Sequence, residues 1–277
     1  MTKRILFTDL DGTLLDYSTY SFENASPALE LLRRRDIPLI LSSSKTKGEI
    51  EHYRRKLANH HPFIAENGGG IFIPKNYFDP APLSLPFEVF EETAYSVVRL
   101  GAKYEDLRNA LESLRSRGFR VRGFGDMTVE EISKISGLSL FEAALSKERH
   151  FDEPFIFEGD EADARGLLAE ITALGFRSTR GRFFHILGDS DKGKAVSLLT
   201  GLFRNRFGPV VTIALGDSLN DLPMLEAVDV PVVVQKKDGT YEPEMDVPNL
   251  IRAEGIGPEG WNRAVLALIS GTPISEP

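Results

Sequence analysis

Ile5, Leu6 and Phe7 form an unbroken apolar run, and Thr8 leads at once into Asp9-Leu10-Asp11-Gly12-Thr13. A run this short, closed by two acids and a glycine, reads as a strand buried on both faces. It is too short for the apolar core of a signal peptide or for a membrane span, despite the preceding Lys3-Arg4. A strand of that kind needs a sheet with helices on either side, and this requirement limits the fold more than any other feature.

The next segments meet it. Ser26-Pro27 opens a helix carrying Leu29, Leu31 and Leu32, with Ser26 placed to cap and Pro27 in the first turn. Residues 37–41 form a second apolar strand that runs into Ser42-Ser43-Ser44-Lys45. Thr46-Lys47-Gly48-Glu49 has capping-box spacing and starts another helix. Phe63-Ile64-Ala65 is a third strand, followed by Glu66-Asn67-Gly68-Gly69-Gly70 and a hairpin-like Ile71-Phe72-Ile73. Strand alternating with helix predicts an α/β fold with a Rossmann-like, mostly parallel sheet.

Pro74, Pro80, Pro82 and Pro86 break the rhythm and mark a crossover. From residue 87 to 187, helical segments at 103–117 and 139–147 mix with strand-like pieces at 120–124, 154–158 and 183–187, the pattern of an inserted α+β unit. After Asp191-Lys192-Gly193-Lys194 the first rhythm returns. A helix carries Ala195, Val196, Leu198 and Leu199, and a strand at 210–215 ends at Gly216-Asp217. A helix with Leu222, Met224 and Leu225, a strand at 230–234 and a helix at 261–268 complete the pattern, and the tail 271–277 is expected to fray. The division that follows is a core of residues 1–82 and 190–277 with a cap of residues 83–189.

Four features fall at the C-terminal ends of these strands, where open α/β sheets bind ligands. Asp9 and Asp11 are two apart on an extended chain, so both carboxylates face one site. Like charges held that close require a cation or a shared proton, and magnesium suits oxygen ligands. With the repulsion screened, Asp9 is placed to attack phosphorus and Asp11 to protonate the leaving oxygen and then deprotonate water. Gly12 permits the turn, although an Asx-turn at a strand end is the plain alternative for this motif. Asp217, with Asp221 at capping-box spacing from Ser218, is a candidate for the same metal. Ser43, Ser44 and Lys45 precede a helix N-terminus and suit a phosphate oxygen. Lys192 stands at a helix start, where the dipole does not favour a cation; a surface lysine is the ordinary explanation. Gly193 beside it lets the turn approach the site, where Lys192 would balance Asp9 and a transferred phosphoryl group.

Asp9-Leu10-Asp11-Gly12-Thr13-Leu14, Ser43, Lys192 and the run from Gly216-Asp217 to Asp221 resemble, in order, the four motifs of the haloacid dehalogenase superfamily. The resemblance implies a magnesium-dependent phosphatase acting through an aspartyl-phosphate, with Asp9, Asp11, Ser43 and Lys192 catalytic and Asp9, Asp11, Asp217 and Asp221 at the metal. The insert between Ser43 and Lys192 lies where that superfamily carries C2-type caps. Glu66-Asn67-Gly68-Gly69 resembles a glycine-bearing turn of C2-capped sugar phosphatases, which places Asn67 and Gly68 beside the substrate. Ser42 to Thr46 stands where most relatives have Thr-Gly-Arg, which puts Lys45 there too.

The cap segments Gly123-Phe124-Gly125-Asp126-Met127-Thr128, Thr128-Val129-Glu130-Glu131-Ile132, 149–154 and Arg180-Gly181-Arg182-Phe183-Phe184-His185 resemble mannosyl-3-phosphoglycerate phosphatases. Those enzymes hydrolyse a phosphorylated glycosyl glycerate to the compatible solute mannosylglycerate. Such a substrate carries a carboxylate, a phosphate and sugar hydroxyls, for which Arg149, Arg182 and His185 are the expected contacts. Asp126, Met127 and Thr128 are expected to form a loop over the site. A phosphatase with broad sugar-phosphate scope or one for the glucosyl analogue, a phosphomutase and a silent sugar-phosphate sensor are the competing functions. The retained acid/base Asp11 disfavours the last.

Composition excludes more than it selects. A net charge of −8 argues against a nucleic-acid partner, and the basic runs 33–35 and 54–56 read as solvated helix faces. The lack of cysteine removes thiolate chemistry and suits a reducing cytoplasm. No stretch is apolar for long enough to enter a membrane, and oligomeric state is left open.

Overall fold

The computed structural model describes residues 2–78 and 87–271. The crossover prolines 80, 82 and 86 and the tail 272–277 lie outside the described residues. In chain order the elements begin β1 (Lys3–Thr8), α1 (Ser26–Arg34), β2 (Leu39–Ser42), α2 (Lys47–Lys56), β3 (Phe63–Ala65), β4 (Gly70–Pro74), β5 (Glu88–Glu91) and β6 (Tyr95–Arg99). There follow α3 (Tyr104–Ser116), β7 (Val121–Gly123), α4 (Val129–Ser136), α5 (Leu140–Lys147), β8 (Asp152–Phe157), α6 (Glu161–Ala173), β9 (Arg177–Arg180) and β10 (Phe184–Leu187). The chain closes with α7 (Lys192–Phe207), β11 (Val210–Gly216), α8 (Leu222–Glu226), β12 (Val230–Gln235), β13 (Ile251–Ile256) and α9 (Pro258–Ser270).

The main sheet runs β13-β12-β11-β1-β2-β3-β4-β6-β5. The strands from β13 to β3 are parallel, and β4, β6 and β5 continue antiparallel. Alternate residues of β1 serve opposite faces. Leu6 packs with Leu29, Ile50, Tyr53 and Trp261 from α1, α2 and α9. Ile5 and Phe7 pack with Val196, Leu199, Phe203 and Met224 from α7 and α8. The apolar run is therefore covered on both sides, as the sequence requires.

The second sheet is antiparallel, in the order β7-β8-β10-β9. Leu107, Leu111 and Leu114 of α3 and Leu167 and Ile171 of α6 pack on Phe155 and Ile186. Thr128, Ser139 and Asp160 start α4, α5 and α6 with reciprocal capping boxes.

The structure differs from the sequence expectation in four places. Strands β5 and β6 pair with β4 and extend the main sheet, so residues 88–99 belong with the core rather than with a cap beginning at 83. Short alternating strands carry no sign of which sheet they join. Helices α4 and α6 and strands β9 and β13 were not anticipated. Ser26 does not cap α1: Ala25 holds that position after a 3₁₀ turn, and Asn262 Oδ1 of α9 accepts from Ala28 N at 2.9 Å instead. Arg54 is not solvated; it is buried against Phe63 and donates to the Tyr95 hydroxyl and the His61 carbonyl.

Core and cap meet at Glu66, a fully buried residue at φ +52. Its carboxylate accepts from the backbone N–H groups of His150, Phe151 and Asp152 at 2.8–3.1 Å. An amide left unpaired in the interior costs about 1–3 kcal/mol. Glu66→Ala should therefore lose about 3 kcal/mol or more of stability in urea unfolding, and Glu66→Gln less. Wild-type stability in Glu66→Ala would show that this clasp does not hold the junction.

Candidate active site

Lys192, the first residue of α7, is fully buried between two acids. Its Nζ lies 2.6 Å from Asp9 Oδ1 and 2.6 Å from Asp221 Oδ1. Asp9 follows β1, and Asp217 follows β11 one strand away. Thr13 donates to Asp217 Oδ1 at 2.8 Å, and the N–H groups of Asp217 and Ser218 donate to Asp221 Oδ2. Trp261 Nε1 donates to Thr8 Oγ1, which donates to the Asp9 carbonyl, so α9 buttresses the strand end that carries Asp9. Two glycines permit this closeness. A Cβ on Gly193 would stand 2.2 Å from the Pro223 carbonyl oxygen, and one on Gly12, at φ +84, 3.0 Å from Asp217 Oδ2.

Three clustered carboxylates share one ammonium, which binds Asp9 and Asp221 directly. Burial, with Asp221 and Asp11 nearby, pushes Asp9 up to about 7, although Lys192 pulls it back. Burial, Asp221 and Asp9 raise Asp217 well above the usual carboxylate range. Burial opposes the charge on Lys192, but Asp221 and Asp9 outweigh it and raise its pKa. One oxygen each of Asp9, Asp217 and Asp221 lies within 4.8 Å of the others. The donor set is all carboxylate oxygen and short of positive charge, so it fits a hard divalent cation.

The Asp11 carboxylate, expected at the metal, does not join this side-chain cluster. Its Oδ2 lies 3.0 Å from Lys45 Nζ. Its Oδ1 is buried with no hydrogen-bond partner among the described residues. Lys45 is itself buried, 3.6 Å from Glu49 and over the Tyr20 and Tyr53 rings. Burial opposes its charge, but Asp11 and Glu49 hold its pKa above the ordinary lysine value.

A cavity of about 400 Å³ separates this floor from the cap. Asp9, Asp11, Lys45, Asn67, Arg149, Arg182, His185 and Asp217 line it, so most expected contacts converge. Lys192 and Asp221 do not line it: the ammonium lies buried between the Asp9 and Asp221 carboxylates. Ser43 is buried and accepts from Lys45 N at 3.3 Å; its neighbours Ser44 and Lys45 reach the cavity, and Ser43 does not. Arg149 donates to the carbonyls of Ser44 and Ser146. Arg182 donates to the carbonyls of Ile135 and Ser136 at the end of α4.

Four further expectations are corrected. Gly68, at φ +87, is a packing position: a Cβ there would stand 2.1 Å from the Asp191 carbonyl oxygen. Asp126, Met127 and Thr128 do not line the cavity. Asp126 is bound by Arg108, Arg115 and Gly123 N, Met127 is buried among Phe124, Ile132 and Ala143, and Thr128 caps α4. The sequence reading also missed lining residues: Tyr17, Tyr20, Glu49, Thr179 and Lys236. Only Glu49 carried a signal, as a capping acid beside Lys45.

A strand-end aspartate beside a buried lysine, under an inserted cap, defines a haloacid dehalogenase-like hydrolase, and the model of that family matches residues 6–94. The crystal structure of a Thermoplasma acidophilum protein has a similar fold, with a TM-score of 0.67 and 17% identity over 98% of this chain and 99% of that one. The Methanococcoides burtonii glucosyl-3-phosphoglycerate/mannosyl-3-phosphoglycerate phosphatase is 51% identical over 96% of this chain and 97% of its own. The Pyrococcus furiosus mannosyl-3-phosphoglycerate phosphatase is 38% identical over 83% of this chain and 90% of its own. The chain belongs to this family of phosphatases. Among the described residues, no helix is long and apolar enough to cross a membrane.

The raised Asp9 pKa has a measurable consequence. A carboxyl that binds its proton more tightly folded than unfolded opposes folding once ionised. That penalty is absent below the ordinary carboxyl value of 3.8 and complete above about 7. Metal-free protein should lose stability as pH rises from about 4 to about 7, and Asp9→Asn should flatten that slope and raise the melting temperature at the upper end. Magnesium should stabilise the wild type more than the variant. An unchanged slope in Asp9→Asn would show that Asp9 carries no such load.

Proposed function

We propose that the protein hydrolyses the phosphate ester of a glycosyl-3-phosphoglycerate, mannosyl or glucosyl, releasing the glycosyl glycerate and phosphate. The observation that carries this reading is the joining of Asp9, Lys192, Asp217 and Asp221 on the floor of a cavity whose roof supplies Arg149, Arg182 and His185. The names of the relatives support the substrate. Magnesium, held by Asp9, Asp217 and Asp221, would supply the positive charge that lets a phosphate dianion lie beside an ionised Asp9.

Asp9 attacks phosphorus with a carboxylate oxygen while Asp11 gives its proton to the departing glycerate oxygen. Water then attacks the aspartyl-phosphate, Asp11 takes the water's proton, and phosphate leaves with Asp9 restored. Lys192 keeps Asp9 oriented and balances charge on the transferred group. Lys45 orients Asp11 from the opposite side. Arg149, its side chain largely shielded at the cap edge and bonded to the Ser44 carbonyl, is the cation for the glycerate carboxylate. Arg182 holds the β9–β10 turn against α4 while lining the sugar side. A chain without cysteine, lacking a membrane-spanning helix among its described residues, suits a cytoplasmic location.

Phosphate release should be measured on both glycosyl-3-phosphoglycerates and on plain hexose phosphates, with and without magnesium. Chelation should stop turnover, and Asp9→Asn should abolish it. Asp11→Asn should slow it by about 10²–10⁴. Arg149→Ala should cost about tenfold or more on the glycosyl phosphoglycerates and far less on p-nitrophenyl phosphate. A wild-type preference for hexose phosphates would overturn the substrate; near-native turnover in Asp9→Asn would overturn the nucleophile.

A further inference from the structure

Two residues at the core–cap junction have bonds that the aspartate chemistry does not use. Asp152, the first residue of β8, is fully buried. Its Oδ1 accepts from His185 Nδ1 at 2.8 Å and its Oδ2 from Asn67 Nδ2 at 2.6 Å. Asn67 Oδ1 in turn accepts from Asn220 Nδ2 at 3.2 Å. Ser218 Oγ donates to Asn220 Oδ1 at 2.7 Å, and Ser218 N donates to Asp221 Oδ2 at 3.2 Å. One chain of hydrogen bonds thus runs from the cap residue that lines the cavity to the loop that carries the metal carboxylates.

The chemistry fixes its direction. A carboxylate only accepts, so Asn67 must turn its amide nitrogen to Asp152 and its oxygen to Asn220. For the same reason His185 carries a proton on Nδ1, which leaves Nε2 as the ring nitrogen available to the cavity. Burial works to raise the pKa of Asp152, yet His185, Arg149 and Asn67 hold it below its ordinary value. The Asn67 backbone, at φ +54, would accept glycine; what glycine lacks is these two bonds.

We propose that Asp152 and Asn67 are positioning residues that hold His185 toward the substrate and, through the same chain, hold the loop carrying Asp217 and Asp221. The His185 half rests on the glycosyl-phosphoglycerate reading; the metal-loop half rests on geometry alone.

Asn67→Gly keeps the left-handed backbone and removes both bonds. Magnesium binding, read by calorimetry without substrate, should weaken about fivefold or more, since outer partners of metal ligands commonly act on that scale. KM for mannosyl-3-phosphoglycerate should rise more than kcat falls. Saturating magnesium should restore turnover of p-nitrophenyl phosphate but not the KM for the glycosyl substrate. Asp152→Asn, which removes the charge and one acceptor, should reproduce both effects. The double variant should be no worse than the more severe single one, because the residues act in series. Each variant is compared at matched melting temperature, and either one that folds decides the question. Unchanged magnesium affinity overturns the link to the metal loop, and additive losses overturn the single chain. If the wild type turns over neither glycosyl phosphoglycerate, the substrate reading falls while the calorimetry still decides the link.

Discussion

Among the described residues, Lys192 is the one cation paired with the carboxylates of the Asp9, Asp217 and Asp221 cluster, and it is completely shielded from water. An ammonium buried without partners would shed its proton; here two carboxylates at 2.6 Å hold the charge. Much of the neighbouring architecture serves that placement. Gly193 lets α7 start against the Pro223 carbonyl, and Gly68 lets the 66–68 turn lie on the Asp191 backbone. A methyl group at either position would move the lysine away from its acids. The helix dipole works against a cation at this end of α7, so the two carboxylates must overcome it as well.

The second constraint is that two chain segments far apart in sequence must enclose one volume. The cap is joined to the core by backbone-directed bonds and by Phe151, which packs with Phe72 in the core cluster. Glu66 binds three successive amides, Arg149 binds the Ser44 carbonyl, and Thr46 Oγ1 binds the Leu145 carbonyl. Bonds of this kind define position sharply and bury little surface, which suits a roof that must admit a ligand and then cover it.

Much of the fold was legible because it follows from local pattern. Ile5 to Phe7, Phe63 to Ala65 and the Thr46 capping box each state their structure within a few residues, and all three are present. Asp9, Asp217 and the turn carrying Ser44 and Lys45 converge because strands of a parallel sheet deliver their C-terminal ends to one edge, and Lys192 arrives at the start of α7. What could not be read depends on partners remote in sequence. Asp126 looks like a site acid until Arg108 and Arg115 are seen to bind it, and Ser26 looks like a cap until Asn262 takes the role. Tyr17, Tyr20 and Lys236 reach the cavity only because loops bring them there. Strands β5 and β6 carry an ordinary strand pattern, and nothing local says which sheet they will extend.

The pairing of β1 with β11 has a consequence for how the molecule comes into being. Lys3 is registered against Val210, and Ala28 waits for Asn262. Strand β1 therefore stays without one of its neighbours until synthesis has passed the cap and reached β11. The cap sheet, by contrast, draws all its strands from a single uninterrupted stretch, from β7 to β10. Loop-closure entropy favours contacts near in sequence, so the roof can assemble before the floor it covers. During that interval the apolar faces of β1 and β2 are exposed, and a nascent chain of this design depends on rapid completion, or on a chaperone, to keep them from associating with other chains.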